Sequence, residues 1–176
     1  MGDSMKLMES LITGVVSGVC SSLLVLAIYW FFRPKVRLSD GISAKQIEPG
    51  KWRYQVKIVN LTRSILTNAS YTLRFCKVHP DNIVEVQEIL PLKSHLAIIN
   101  KYDPKQKTAN YAVRLSYEVD ESIYVLDKDT KLEFTLFASH VLTNASICLK
   151  KEYFVKDIYK NSLFEHGKST KIVINH

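Results

Sequence analysis

Glycine and proline are scarce in this chain, six and five among 176 residues, and no Gly/Ser-rich or low-complexity stretch interrupts it. A flexible interdomain linker is thereby excluded. Cysteine is scarcer still, with three residues, Cys20, Cys76 and Cys148. Cys20 falls in an apolar run, which leaves two for the remainder. Secreted domains more often use paired cysteines as a framework, so this usage agrees with a reducing compartment. Catalytic signatures are missing as well: there is no Gly-rich phosphate loop, no G-x-S-x-G and no H-E-x-x-H. The histidines His79, His95, His140, His166 and His176 are scattered, mostly in expected loops. Cys76-Lys77-Val78-His79 has C-x-x-H spacing, but no second pair completes a four-ligand zinc site, and a surface His beside a strand Cys is the favoured reading. Glu118, Asp120 and Glu121 cluster in a turn between Tyr117 and Ile123, where acids are usually solvated. These absences give the expectation of a non-enzymatic protein with no catalytic residue, no metal and no cofactor.

What the chain does have is Leu11–Phe32, an uninterrupted uncharged run followed at once by Arg33-Pro34-Lys35. As a helix this run is roughly 33 Å long, enough to cross a hydrocarbon core about 30 Å thick. The expected organisation is a leader at 1–10, a transmembrane helix at 11–32 and a water-soluble domain at 33–176. The run is too long for a signal peptide, its n-region offers only Lys6 against Asp3 and Glu9, and no A-x-A site follows it. Lys6 also stands where a myristoylation motif wants Ser or Thr. Basic residues concentrate behind the run, at Arg33, Lys35, Arg37 and Lys45, and Tyr29 and Trp30 suit the headgroup boundary on that side. The chain therefore reads as a single-pass protein of the cell (inner) membrane, N-terminus out, with its C-terminal domain cytoplasmic. Against this stand three glycosylation sequons, at Asn60, Asn68 and Asn144, which are otherwise read as turn chemistry between strands.

Gly14, Gly18 and Ser22 are spaced by four, so they share one helix face where two backbones can approach closely. Self-association into a homo-oligomer is the expectation this raises. Apart from the Cys20 thiol the span holds no ionisable group, so any pore would need several copies. The whole chain carries a net charge of +7, and only Lys6, Asp3 and Glu9 lie ahead of the soluble part, so the excess is basic there. Under a membrane such charge suits an anionic inner leaflet, at about 1 kcal/mol for each nearby Lys or Arg. Nucleic acid ranks well below lipid, because no aromatic-plus-basic platform motif is present.

Beyond the run, hydrophobic periodicity is two. Trp52, Tyr54, Val56 and Ile58 alternate with polar residues, as do Ala69–Phe75, Tyr111–Tyr117, Leu132–Leu136 and Ala145–Leu149. Further strands are expected at Val36–Ser39, Val84–Leu90, His95–Asn100, Ile123–Leu126 and Lys171–Ile174, and a short helical turn at Phe154–Tyr159. Such one-sided strands point to an antiparallel β-sandwich. The stretch Ile65–Ser70 echoes Val141–Ser146, ILTNAS against VLTNAS, which reads as one strand-to-strand crossing used twice. Lys101, Lys105 and Lys107 read as a solvated loop.

One resemblance follows from residues already named. The run Gly50-Lys51, then Val56-Lys57-Ile58-Val59-Asn60-Leu61-Thr62-Arg63-Ser64, Leu66 and Ala69, resembles the cytoplasmic domain of inward-rectifier potassium channels. In that family a Gly-Lys turn leads into a strand ending Asn-Leu-Arg-x-Ser. Leu142-Thr143, Tyr153, Asp157-Ile158 and Phe164 are similar to later segments of the same family, and Arg33-Pro34-Lys35-Val36-Arg37 sits where its basic linker lies. The second membrane helix and the Thr-x-Gly-Tyr-Gly filter are absent, so potassium conduction is not implied. What the resemblance implies is a mainly β fold, one N-terminal transmembrane helix followed by an immunoglobulin-like antiparallel β-sandwich, with Arg33, Lys35 and Arg37 at the lipid surface. The expected function is a membrane-anchored sensor or interaction module whose β-domain binds an unidentified protein or small-molecule ligand. The alternative is a small membrane-permeabilising effector of the anti-phage defence type, gated by a signal on that domain. The Lys-, Ile- and Asn-rich composition hints at a bacterial source.

Overall fold

The computed structural model describes residues 2–79, 81, 84–90, 96–106, 108–121, 123, 124 and 126–174. His95, Lys107 and His176, named above, lie outside the described residues. The chain divides into two compact units, 1–33 and 34–176.

The first unit is helix α1, Gly2–Phe31. It begins nine residues ahead of the apolar run and takes in most of the leader. Within it Met8–Phe31, 24 residues, is long and apolar enough to cross a membrane, and none of it is buried within the chain. Two polar side chains in the run turn inward on the helix: Thr13 Oγ1 donates to the Glu9 carbonyl at 2.8 Å and Ser22 Oγ to that of Gly18 at 2.9 Å. Neither hydroxyl needs water. The helix stops because Pro34 disfavours the α conformation at the residue before it.

The second unit is built of strands β1 (Val36–Leu38), β2 (Ile42–Glu48), β3 (Lys51–Asn60), β4 (Leu66–Val78), β5 (Val84–Leu90) and β6 (Ala112–Asp120). Then follow β7 (Thr130–His140), β8 (Ser146–Phe154), a single 3-10 turn (Val155–Asp157), β9 (Ile158–Lys160), β10 (Ser162–Phe164) and β11 (Ile172–Ile174). In sheet 1, β3 is the centre: β6 pairs along one edge, while β2 and β1 share the other and β9 extends β2. Sheet 2 has the order β5-β4-β7-β8, and β10 and β11 form a separate hairpin. The chain is thus an apolar N-terminal helix followed by a mainly β unit, as expected.

Register explains the core. Trp52 faces Val119, Tyr54 faces Tyr117 and Val56 faces Leu115 across β3 and β6, so the period-two apolar residues of both strands fall on one face. On sheet 2, Leu73 pairs with Phe134 and Phe75 with Leu132. All of these belong to a single apolar core drawn from both sheets. Each fully buried side chain contributes roughly 1.5–3 kcal/mol. The hydroxyls of Tyr54 and Tyr117 enter that core with no hydrogen-bond partner among the described residues, and burial pushes both phenols strongly upward in pKa.

Several elements differ from expectation. The sheets are antiparallel except where β9 runs parallel to β2, Ile42 facing Ile158. That approach requires Gly41, since a Cβ there would lie 2.5 Å from the Asp157 carbonyl oxygen and 2.5 Å from the Tyr159 ring. Strands β2, β9 and β10 were not foreseen. Of His95–Asn100, the described part makes a single bridge, Ile99 with Leu66, and the Ala97 carbonyl accepts the Ala69 amide at 3.1 Å. Ile123, Tyr124 and Leu126 are not strand. The amides of Ile123 and Tyr124 bond the Asp120 carbonyl in a turn, and the Tyr124 ring packs 5.2 Å from Phe75. The expected short helical turn is present at Val155–Asp157, where the Asp157 carboxylate accepts the Phe154 N–H at 3.0 Å.

The echoed segment also divides. Asn144 makes the turn between β7 and β8 with φ 53, as read. Asn68, with φ 51, instead sits inside β4 at a register break between Thr67 and Ser70. Asn tolerates this left-handed backbone, so the same residue serves a turn in one place and a bulge in the other. The two copies end up side by side: Leu66 faces His140, and the Val141 amide bonds the Ile65 carbonyl.

Candidate functional site

Gly14, Gly18 and Ser22 all lie on α1, and the space where a Cβ of either glycine would sit is open. Ser22 spends its hydroxyl on the Gly18 carbonyl, so what it offers a neighbouring helix is small size rather than a free donor. Tyr29 and Trp30 are exposed near the end of α1. Arg33, Lys35 and Arg37 are exposed as well. Lys35 and Arg37 belong to the β unit, where the Lys35 amide donates to Thr62 Oγ1 at 2.8 Å.

Among the described residues, three clefts of the β unit have volumes of about 320 to 430 Å³. The first, about 410 Å³, is lined by Glu121, Tyr124, Leu126, Val155, Ile158 and Lys160. Its charges cancel: Lys160 Nζ lies 2.8 Å from Glu121 and 4.5 Å over the Trp52 ring. The second, about 430 Å³, brings Arg37 together with Lys150, Lys151, Asp40 and Thr170. Here also the lysines are taken, Lys151 by Asp40 at 3.3 Å and Lys150 by Glu133 at 2.6 Å.

The third cleft, about 320 Å³, lies on the outer face of sheet 1 and includes Lys57, Thr108, Arg114, His166 and Gly167. Lys57 and Arg114 face each other across β3 and β6. Lys57 is only 1% exposed. Its ammonium donates to the carbonyl oxygens of Glu165 at 2.6 Å and Ser169 at 2.7 Å, in the loop joining β10 to β11. Burial pulls the Lys57 pKa down to about 8; the Arg114 guanidinium adds to this, and Glu165 opposes it. The loop is shaped by Gly167 at φ 70 and closed by the Glu165 amide on the Lys171 carbonyl.

The acidic cluster is dispersed by its partners, with Glu118 on Arg53 at 3.3 Å and Glu121 on Lys160. Cys76 is buried, which raises its thiol pKa, while His79 Nε2 points 3.1 Å from Glu85 rather than toward the thiol. Among the described residues no group of three His, Cys, Asp or Glu could hold a metal ion. His140 is buried in the β7–β8 turn, its Nδ1 accepting the Leu142 and Thr143 amides at 3.3 and 3.4 Å. Asn60 is also fully engaged: Nδ2 donates to the Ser64 and Asn100 carbonyls and Oδ1 accepts the Thr62 amide. That sequon is a structural turn; those at Asn68 and Asn144 are exposed.

Sequence reasoning did not single out Lys57, Arg114 or His166. Lys57 and Arg114 each occupy an outward position of an alternating strand, and nothing local reveals their pairing. Comparison of this chain with protein-family models and with curated protein sequences gives no match.

Proposed function

We propose that this protein is a single-pass membrane-anchored, non-enzymatic sensor or interaction module. Helix α1 crosses the cell membrane, and the β unit works on the cytoplasmic side. The observation that carries this reading is a 24-residue apolar helix with no cover within its own chain, joined to a β unit that has a complete core of its own. Exposed Arg33, Lys35 and Arg37 directly behind the helix support the inward orientation by the positive-inside rule. The buried, fully bonded Asn60 supports it too, since it removes one of three sequons from the extracellular reading. In this reading the β unit is an immunoglobulin-like sandwich of the inward-rectifier type. Two sheets sharing one core agree with that, and its lipid contacts are Arg33, Lys35 and Arg37. The open face at Gly14 and Gly18 brings copies together, so that occupancy of the β unit becomes a change in assembly.

The experiment is mass and leakage on the same preparation. Full-length protein in detergent forms a defined oligomer that Gly18→Leu disrupts, and liposomes loaded with dye stay tight around it. A monomer in detergent would refute assembly through α1. Leakage by an intact oligomer would replace the module reading with that of a membrane-permeabilising effector.

A further inference from the structure

Across an antiparallel pair, like charges directly opposite each other are destabilising. Lys57 and Arg114 are such a pair, at the third cleft. Among the described residues neither forms an ion pair with a carboxylate. The carboxylate of Glu165, whose charge favours the Lys57 ammonium, accepts the Ser169 hydroxyl at 2.5 Å. What the β10–β11 loop gives Lys57 is two backbone carbonyls, at 2.6 and 2.7 Å. An ammonium has three donors, so one remains. Arg114 uses one of its five, reaching the Phe164 carbonyl at 3.4 Å. The floor of the cleft is therefore a buried cation with a spare donor. Exposed Arg114 lines it as well, together with Thr108, His166 and Gly167. Among the described residues no carboxylate lines it.

From this geometry we infer that the cleft between Lys57, Arg114 and His166 is a binding site for a phosphate group, carried by a small soluble molecule or by a lipid headgroup. A guanidinium presents paired N–H donors that match two phosphate oxygens, and a lysine supplies a point charge to a third. Thr108 and His166, which also line the cleft, carry a hydroxyl and an imidazole that can donate to the same group. The cleft's volume, about 320 Å³, accommodates a phosphate with a small appended group, at the lower end of the usual range for small-molecule sites. An anion here also relieves the Lys57–Arg114 repulsion, so binding and stability are linked. The inference rests on reading the β unit as a ligand-binding module, and it names the chemical class of that ligand. It does not depend on anchoring or assembly, so its test is separate from theirs.

The test is thermal unfolding of the full chain in a nonionic detergent with sodium pyrophosphate, against sodium chloride at equal ionic strength. Pyrophosphate gives a saturable rise in Tm beyond the chloride control. In Arg114→Gln, a change at an exposed position, half-saturation moves to a concentration on the order of tenfold higher, and Arg114→Lys recovers part of it. His166→Gln weakens binding to a smaller degree. A Tm that follows chloride, or an identical pyrophosphate response in Arg114→Gln, would overturn the proposal. Nanodiscs separate the two sources. If phosphatidic acid in a phosphatidylcholine disc suppresses the pyrophosphate response, the site takes a headgroup; if the response is undiminished, it takes a soluble phosphate.

Discussion

Replacing Lys57 by Met removes the ammonium held beneath the β10–β11 loop and keeps an unbranched side chain. Burial first, and Arg114 second, bring the folded pKa from 10.5 to about 8, with Glu165 pulling the other way. Between those two values the unfolded chain keeps the proton while the folded chain releases it. The unfolded state therefore binds more protons, and stability rises with pH across that window. The whole difference corresponds to about 3 kcal/mol at about 1.4 kcal/mol for each unit of pKa. Roughly 2 kcal/mol of it is recovered between about pH 7 and pH 9.5. Buried tyrosines act in the opposite sense. Burial pushes Tyr71 and Tyr153 up to about 12, and Tyr54 and Tyr117 further. Unfolded tyrosine ionises near pH 10, so above about that pH each costs up to about 1.4 kcal/mol per pH unit. Wild-type stability thus passes through a maximum at about pH 9–9.5. Lys57→Met keeps the alkaline fall and loses the rise, and subtracting the two profiles cancels the tyrosines and the buried Cys76. The assay is urea unfolding in detergent followed by Trp52 fluorescence, with Trp30→Phe in both proteins. A wild-type minus Lys57→Met difference that stays flat from about pH 7 to 9.5 would refute the buried, pKa-lowered ammonium.

Gly41→Ala places a methyl group against the Asp157 carbonyl, a backbone atom that cannot swing aside as the Tyr159 ring can. It lowers stability by about 1–3 kcal/mol and frees β9 first, so hydrogen exchange accelerates at residues 158–160 before the rest of sheet 1. An unchanged urea midpoint would contradict the close parallel packing of β9. Glu133 is 9% exposed and lies between Arg74 at 3.8 Å and Lys150 at 2.6 Å. Glu133→Ala costs about 1–3 kcal/mol because three cations, Lys131 included, then crowd one face, whereas Lys150→Ala, at an exposed side chain, costs under about 1 kcal/mol. Equal losses from the two would show that Glu133 gains nothing from its burial. For topology, exposed Cys148 is the accessible thiol of the β unit, and Cys76 is buried. A membrane-impermeant maleimide labels permeabilised cells and spares intact ones, and Cys148→Ser abolishes the labelling; labelling of intact cells would place the β unit outside.

The parts legible in the sequence are those whose signal is carried by one segment alone. The apolar run of α1 and the alternation in β3, β4, β6, β7 and β8 each declare a face without reference to a partner. Strand β2 does not, because Ile42, Ser43 and Ala44 are all buried: the Ser43 hydroxyl turns away from the core to the Ser162 carbonyl, under β10. A strand covered on both faces at one end and open at the other has no period to read. Ile123–Leu126 misled in the opposite way, since Tyr124 and Leu126 pack on the core from a turn while Ile123 stays exposed. The third cleft was illegible for a related reason. Lys57 looks like any polar residue on an outward face, and only a loop 108 to 112 positions later makes it buried.

Placement of charge bears on what the basic excess is for. Around Glu133 and Glu152 on sheet 2, Arg74, Lys150 and Lys131 meet carboxylates within 4 Å. The β3–β6 pair is neutralised at its first end by Arg53 on Glu118 and left with two facing cations toward its other end. If attraction to an anionic leaflet were the whole role of the positive charge, exposed lysines would supply it at about 1 kcal/mol each with no burial cost. A lysine 1% exposed adds nothing to that long-range field that an exposed one would not. Its work has to be local, either tethering the β10–β11 loop or meeting an anion in the cleft. The tether uses Lys57 and two carbonyls, joined by the longer Arg114 bond to the Phe164 carbonyl at 3.4 Å, while the Arg114 charge opposes the ammonium. A pure tether therefore gives no saturable pyrophosphate stabilisation with or without Arg114, whereas an anion site gives one that weakens when Arg114 is removed. The behaviour of Arg114→Gln in the presence of pyrophosphate consequently decides between the two roles.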